Sequence, residues 1–170
     1  MDVTNTPIIS KTIIRTYIGL ASFVGIMALY MVYQSFKSNE GITLLGGAFI
    51  LLVLIEPLFL MVVQSIKNTR YQIINNDLVI KTENIIGGTR TINLNTITTI
   101  ERTLYPVGLK LYGASFHGGY YSVPGLGRAH IAVTNLDDIV LIKTNDNNYI
   151  ISPKNPESFI DLIKTRKNTE

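Results

Sequence analysis

The sequence predicts a membrane α-helical hairpin followed by a mainly-β domain that one C-terminal helix closes. Three observations lead there. Residues 16–66 hold just three charged side chains, Lys37, Glu40 and Glu56, whereas residues 67–170 carry twelve Lys/Arg and nine Asp/Glu. From residue 69 onward, short runs of Ile, Val, Thr and Tyr alternate with Asn, Asp and Gly, the pattern of strands joined by tight turns. After Asn155-Pro156 the apolar spacing becomes helical again.

A chain of 170 residues accommodates one small domain with an accessory segment. The expected division is an N-terminal cytosolic tail over 1–12, a two-helix hairpin over 13–67 and a β-domain over 68–167. The absence of cysteine excludes disulfides and thiolate metal sites. Two histidines, His117 and His130, fall short of a zinc site without added carboxylates, so neither a metal nor a cofactor is expected. A net charge of +3 suits a domain beside an anionic leaflet and is too small for a nucleic-acid-binding surface.

Each hairpin helix follows from length. Residues 16–36 run 21 residues without a charge between Arg15 and Lys37. At ~1.5 Å per residue they span roughly the hydrocarbon thickness of a bilayer. Residues 42–63 form a second span, interrupted by Glu56 alone. The helices are expected at about 13–36 and 42–66. A cleaved signal peptide is excluded because the apolar run is too long, lacks a small-x-small site and is followed at once by a second span.

Lys11 and Arg15 precede the first span and Lys67 and Arg70 follow the second, against Lys37 in the link. The positive-inside bias predicts a multi-pass protein of the plasma membrane with both termini cytoplasmic. Arg15, Lys37, Lys67 and Arg70 are the candidate membrane-interface residues.

Small residues at Gly19, Ala21, Ser22, Gly25 and Ala28 let another helix approach closely. The second span, with Gly46, Gly47 and Ala48, is one partner; a second copy of the chain is the other. Glu56 is the costly residue, because an ionised carboxylate in hydrocarbon must be paired or neutralised. Ser22 is its expected neutral neighbour, ahead of Arg15. Pro57 beside it predicts a kink. A structural, neutral Glu56 and a functional one both remain open at this point.

Strands are expected near 69–75, 78–82, 89–94, 96–104, 127–134, 138–144 and 147–152. Asn75-Asn76-Asp77 and Asn145-Asp146-Asn147 mark hairpin turns, since Asn and Asp tolerate left-handed backbone angles. Asn155 is the N-cap and Pro156 the first residue of the closing helix. Phe159, Ile160, Leu162 and Ile163 form its apolar face, and Lys164, Arg166 and Lys167 complement its C-terminus.

Seven short strands closed by one helix is the element order of the pleckstrin-homology (PH) superfold. The local sequence also resembles the bacterial and archaeal PH-like family. Tyr71-x-Ile73 directly after a membrane span, followed by Leu78-x-Ile80, looks like the start of such domains. The loop 113–128 leading into 130–144, and the tail 150–163 with its S-P-x-N-P-E-x-F pattern, look like their distal half. The resemblance covers about residues 69–166, and the hairpin ahead of it also looks typical of the group. It implies a seven-stranded, partly open barrel or sandwich. It carries no catalytic residue across, and fold does not dictate function.

Phosphoinositide-binding PH domains cluster bases around a long first hairpin loop. Here that loop is Asn75 to Asp77, and Lys67, Arg70 and Lys81 are scattered, so this chain departs from that pattern. The segment 105–128 is richer, with six glycines and two prolines around Tyr105, Tyr112, Phe116, His117, Tyr120 and Tyr121. With Arg128 these are the candidate partner-binding residues. Dense aromatics fit a recognition surface, a bilayer-interface contact or a loop packed on its own sheet. Arg128 and His130 alternate on a strand and could help bind an anion, although a plain exposed face is the stronger expectation.

A nucleophile elbow at Gly113-Ala114-Ser115-Phe116-His117 fails, because His117 stands where glycine is required. Asp137 and Asp138 read as solvated turn carboxylates. No phosphate-cradling glycine motif occurs. The sequence therefore predicts a non-catalytic, membrane-tethered interaction or scaffold module. It would present its β-domain at the cytosolic leaflet, among membrane lipids, to a protein or peptide partner, through the aromatic loop or along an exposed strand edge, or to a second copy of itself. The alternative is a lipid-responsive or small-solute membrane component that uses Glu56.

Overall fold

The computed structural model describes residues 3–83, 87–113, 115 and 117–167. They divide into two compact units, one of residues 11–64 and one that joins the residues before Lys11 to those from Ser65 onward.

The helical unit begins with α1 (Lys11–Ser35). After a short link come α2 (Gly41–Ile50), a π-helical turn (Leu51–Ile55) and α3 (Glu56–Lys67), which run on as one helix over Gly41–Lys67. Both helices are long and apolar enough to cross a membrane. The π turn lies directly before Pro57, and the Glu56 N–H reaches back five residues to the Leu51 carbonyl. Such a widened turn relieves the clash and the missing donor that proline imposes.

Ala21, Ala28 and Ala48 are buried. A Cβ at Gly47 would lie 2.4 Å from the Met31 methyl, so small residues here admit the neighbouring helix within the same chain. Phe23, Ile26, Leu29, Phe49 and Leu54 remain exposed.

The β unit contains ten strands among the described residues. A four-stranded antiparallel sheet runs β1 (Val3–Asn5), β2 (Arg70–Ile74), β3 (Asp77–Lys81), β4 (Arg90–Asn93). A six-stranded sheet is built from β5 (Ile97–Thr103), β6 (Leu109–Tyr112), β7 (Gly118–Val123), β8 (Gly127–Ala132), β9 (Ile139–Thr144) and β10 (Asn148–Ile151). Its spatial order is β5-β9-β10-β8-β7-β6, antiparallel throughout except for the parallel pair β8/β10. Asn75, at φ 52°, makes the β2–β3 turn as its residue type allows. The chain closes with α4 (Pro156–Lys167), whose N-terminus is capped where Asn155 Oδ1 accepts the Ser158 N–H at 3.2 Å.

Tyr71, Ile73, Leu78, Ile80, Val140, Ile142 and Ile151 pack with Phe159 and Ile163 of α4 in the main core. A second cluster, including Tyr121, Ile131, Leu141 and Ile150, uses the alternate residues of the six-stranded sheet and therefore its other face. The double burial of β9 explains its unbroken apolar run.

Two expectations are corrected. Residues 1–12 are not a separate tail, because β1 pairs with β2. Thr134 Oγ1 donates to the Ile8 carbonyl at 3.0 Å, the Ser10 N–H donates to the Thr134 carbonyl at 2.8 Å and Asn5 Oδ1 accepts the Lys154 N–H at 3.1 Å. Nor are there seven strands, since β6 and β7 occupy the segment read as an irregular loop. Glycines conceal the strand there. At Gly119 (φ +109°) a Cβ would lie 2.0 Å from the Tyr112 carbonyl oxygen, so the ladder, which shifts register between Lys110 and Tyr112, admits no side chain at that point.

Candidate functional site

The aromatic residues of 105–128 divide between two faces and an edge instead of forming one loop surface. Tyr121 is buried in the second core, with Lys110 Nζ 5.6 Å from its ring centroid. Tyr105 packs at the margin of that core, 6.2 Å from the His117 ring. Tyr120, on the opposite face of β7, meets the His130 ring edge-on at 5.0 Å and lies 4.5 Å from the guanidinium carbon of exposed Arg128. Phe116 lies outside the described residues. Desolvation holds the His117 imidazole below its ordinary pKa, and Lys110 adds to the effect.

His130 is not on an exposed face. It is 1% accessible, because the backbone at Gly87 lies against it, where a Cβ would be 2.6 Å from Nε2. Strand alternation correctly puts Arg128 and His130 on one side; the cover comes from a segment some forty residues earlier, which alternation cannot see.

Sequence reasoning passed over the edge strand itself. β6 is the outer strand of its sheet and pairs with β7 alone among the described strands. Leu109, Leu111 and Tyr112 are 72%, 54% and 64% exposed, and Leu104 and Val107 ahead of it are each 88% exposed. The signal was present as the run Leu104-Tyr105-Pro106-Val107-Gly108-Leu109-Lys110-Leu111-Tyr112, which is too apolar for a solvated connection. Beside the strand, Tyr105, Val107, Gly108, Lys110 and Tyr121 line a depression of about 350 Å³. Lys110, the charge that would ordinarily guard such an edge, donates instead to the Ser115 carbonyl.

A profile of the bacterial PH domain family matches residues 69–167. The chain belongs to the bacterial PH domain family. No curated protein and no solved structure matches it. The two open sheets and C-terminal helix are those of a PH-like fold.

Within the PH domain, the bases near its start are occupied or dispersed. The Arg70 guanidinium donates to the carbonyls of Lys67 and Thr69, both at 2.7 Å, which caps the end of α3. Glu83 accepts from Ser65 Oγ at 2.5 Å and Asn68 Nδ2 at 2.7 Å, and these bonds hold its carboxyl below the usual carboxylate range. Lys67 is exposed, as are Arg15 and Lys37 in the helical unit. Lys37 Nζ donates to Tyr33 Oη, 4.4 Å from that ring's centroid. The Glu56 carboxylate lies against Gly25, whose added Cβ would meet both oxygens at 3.9 Å, while Ser22, the expected neighbour, is exposed.

Proposed function

We propose that this chain is a membrane-tethered interaction module whose PH-like domain captures a partner peptide as an added strand along β6. The open edge of β6 carries this reading. Main-chain groups of an outer strand recruit an extended peptide, and the flanking side chains select it. Leu109 and Leu111 offer apolar contacts on one face of the strand, and the depression beside Tyr105 and Val107 accepts a side chain.

Tethering is supported by the helical pair. At most 22% of the residues in either apolar span are buried within the protein, far less than in the core helix of a soluble domain. The pairing of β1 with β2, which lie on either side of the two spans in sequence, supports a hairpin whose two ends emerge on the same side. The surplus of Lys11, Arg15, Lys67 and Arg70 over Lys37 supports the cytosol as that side. Restriction to the leaflet raises the effective concentration of the domain toward other membrane components.

The test is photo-crosslinking in native membranes with a probe amino acid at Leu111. A discrete protein adduct is expected, lost in a Leu109→Lys variant and retained in Glu56→Gln. An adduct of twice the chain's mass identifies the partner as a second copy. Crosslinks confined to lipid, or loss of the adduct in Glu56→Gln alone, overturn the reading in favour of the hairpin as the active element.

A further inference from the structure

The opposite face of β7 carries a cluster that the strand edge does not use. Tyr120, His130 and Tyr149 stand abreast on β7, β8 and β10, in register as Tyr120↔His130 and Tyr149↔His130. Their ring centroids are 5.0 Å and 6.2 Å apart. Arg128, two residues before His130 on the same side of β8, puts its guanidinium carbon 4.5 Å from the Tyr120 centroid; Arg90, from β4 of the other sheet, puts its own at 5.3 Å.

Two guanidinium groups around one ring repel each other unless a negative charge offsets them. Among the described residues neither has an ion-pair partner. Arg90 donates to the carbonyl of Gly87 at 3.0 Å and to that of Thr89 at 3.4 Å, yet its Nε is buried without an acceptor among the described residues. Among the described residues, the ring nitrogens of buried His130 have the Gly87 backbone beside them and no well-formed hydrogen bond to a side chain. Unmet buried polar groups are rare, because each sacrifices its hydration without return. Asp146 acts weakly at the margin of this cluster, through its effect on Tyr149.

These groups share one complement. A dianionic phosphate balances two arginines, meets the guanidinium fork in bidentate fashion and has oxygens left for phenolic O–H donors. We propose that Arg90, Arg128, Tyr120 and Tyr149, with the more deeply buried His130, bind the phosphate group of a phosphate monoester. The site lies between the two sheets and away from the β2–β3 turn. It stands or falls independently of the β6 edge.

The experiment uses the full chain in phosphatidylcholine nanodiscs, with the ring resonances of His130 and His117 followed by NMR. One arm adds glycerol 3-phosphate in solution; the other incorporates phosphatidic acid in the bilayer. A saturable shift of His130, with His117 unmoved, is expected in at least one arm. A response to glycerol 3-phosphate assigns a soluble ligand, and a response to phosphatidic acid alone assigns a lipid headgroup.

Burial and Arg90 hold the His130 pKa down at about 4. A bound dianion favours the imidazolium, so its titration midpoint rises on binding. Arg128→Gln, at an exposed position, weakens binding about tenfold, and Arg128→Lys restores much of it. No saturable His130 shift with either probe, or a shift indifferent to Arg128→Gln, overturns the site.

Discussion

Tyr71 is fully buried, yet its hydroxyl joins segments far apart in the chain. It donates to the Ala132 carbonyl at 2.6 Å and accepts the Ser152 N–H at 3.2 Å. Ser152 Oγ in turn accepts the N–H groups of Thr134 at 2.8 Å and Asn135 at 3.2 Å. Removing the Tyr71 hydroxyl takes a partner from each of two buried backbone groups. Tyr71→Phe is therefore expected to destabilise the β unit by about 1–3 kcal/mol, measured by circular dichroism during chemical unfolding of the full chain in detergent. Burial raises the phenol from 10.0 to about 12. A group whose folded pKa is raised stabilises fully below its unfolded value, so this contribution persists up to pH 10 and declines toward pH 12. Tyr71→Phe should lack that part of the alkaline loss. The Tyr71-x-Ile73 signature was legible because it alternates within one strand. The hydroxyl's partners were not, since they arrive from residues 132–152.

The strands divide by how much of their environment is local. β2 and β3 were readable because each buries one face and exposes the other. β9 was readable as a continuous apolar run between turns. β6 and β7 failed for a physical reason. β6 is exposed on both faces for most of its length, which erases alternation, and β7 opens on Gly118-Gly119. The same cause misplaced Tyr121, a core residue, in a recognition loop. Gly119→Ala is expected to cost about 1–3 kcal/mol of local strain, because it requires a left-handed angle and a Cβ 2.0 Å from the Tyr112 oxygen. The measurement is amide hydrogen exchange. Protection should fall across β6 and β7 while β2 and β3 keep theirs, and the Leu111 crosslink should weaken in parallel.

For the molecule as a whole, the helical pair was the most legible part, since two helices long and apolar enough to cross a membrane are displayed directly as apolar runs in the sequence. The mainly-β domain followed from periodicity and from the closing helix. What no local pattern announces is β1. Val3-Thr4-Asn5 is short and polar, and its partner β2 lies beyond both helices. Deleting Val3–Asn5 exposes the outer edge of β2 and removes the Asn5 acceptor from the Lys154 N–H. A loss of about 1–2 kcal/mol is expected from these hydrogen bonds, read as a lower unfolding midpoint with an unchanged helical signal from the hairpin.

That strand also imposes an order on biosynthesis. β1 is translated before the hairpin, and the strand it pairs with is translated after it. The residues of β1 must wait, unpaired, while the two apolar helices are synthesised. Closing so long an intervening stretch delays sheet completion and leaves strand edges open to mispairing meanwhile. On the proposed topology, insertion shortens the wait by returning both flanks to the same leaflet. On that topology, a chain whose second span failed to insert would strand β1 across the membrane from its sheet, so the four-stranded sheet would assemble only after correct insertion.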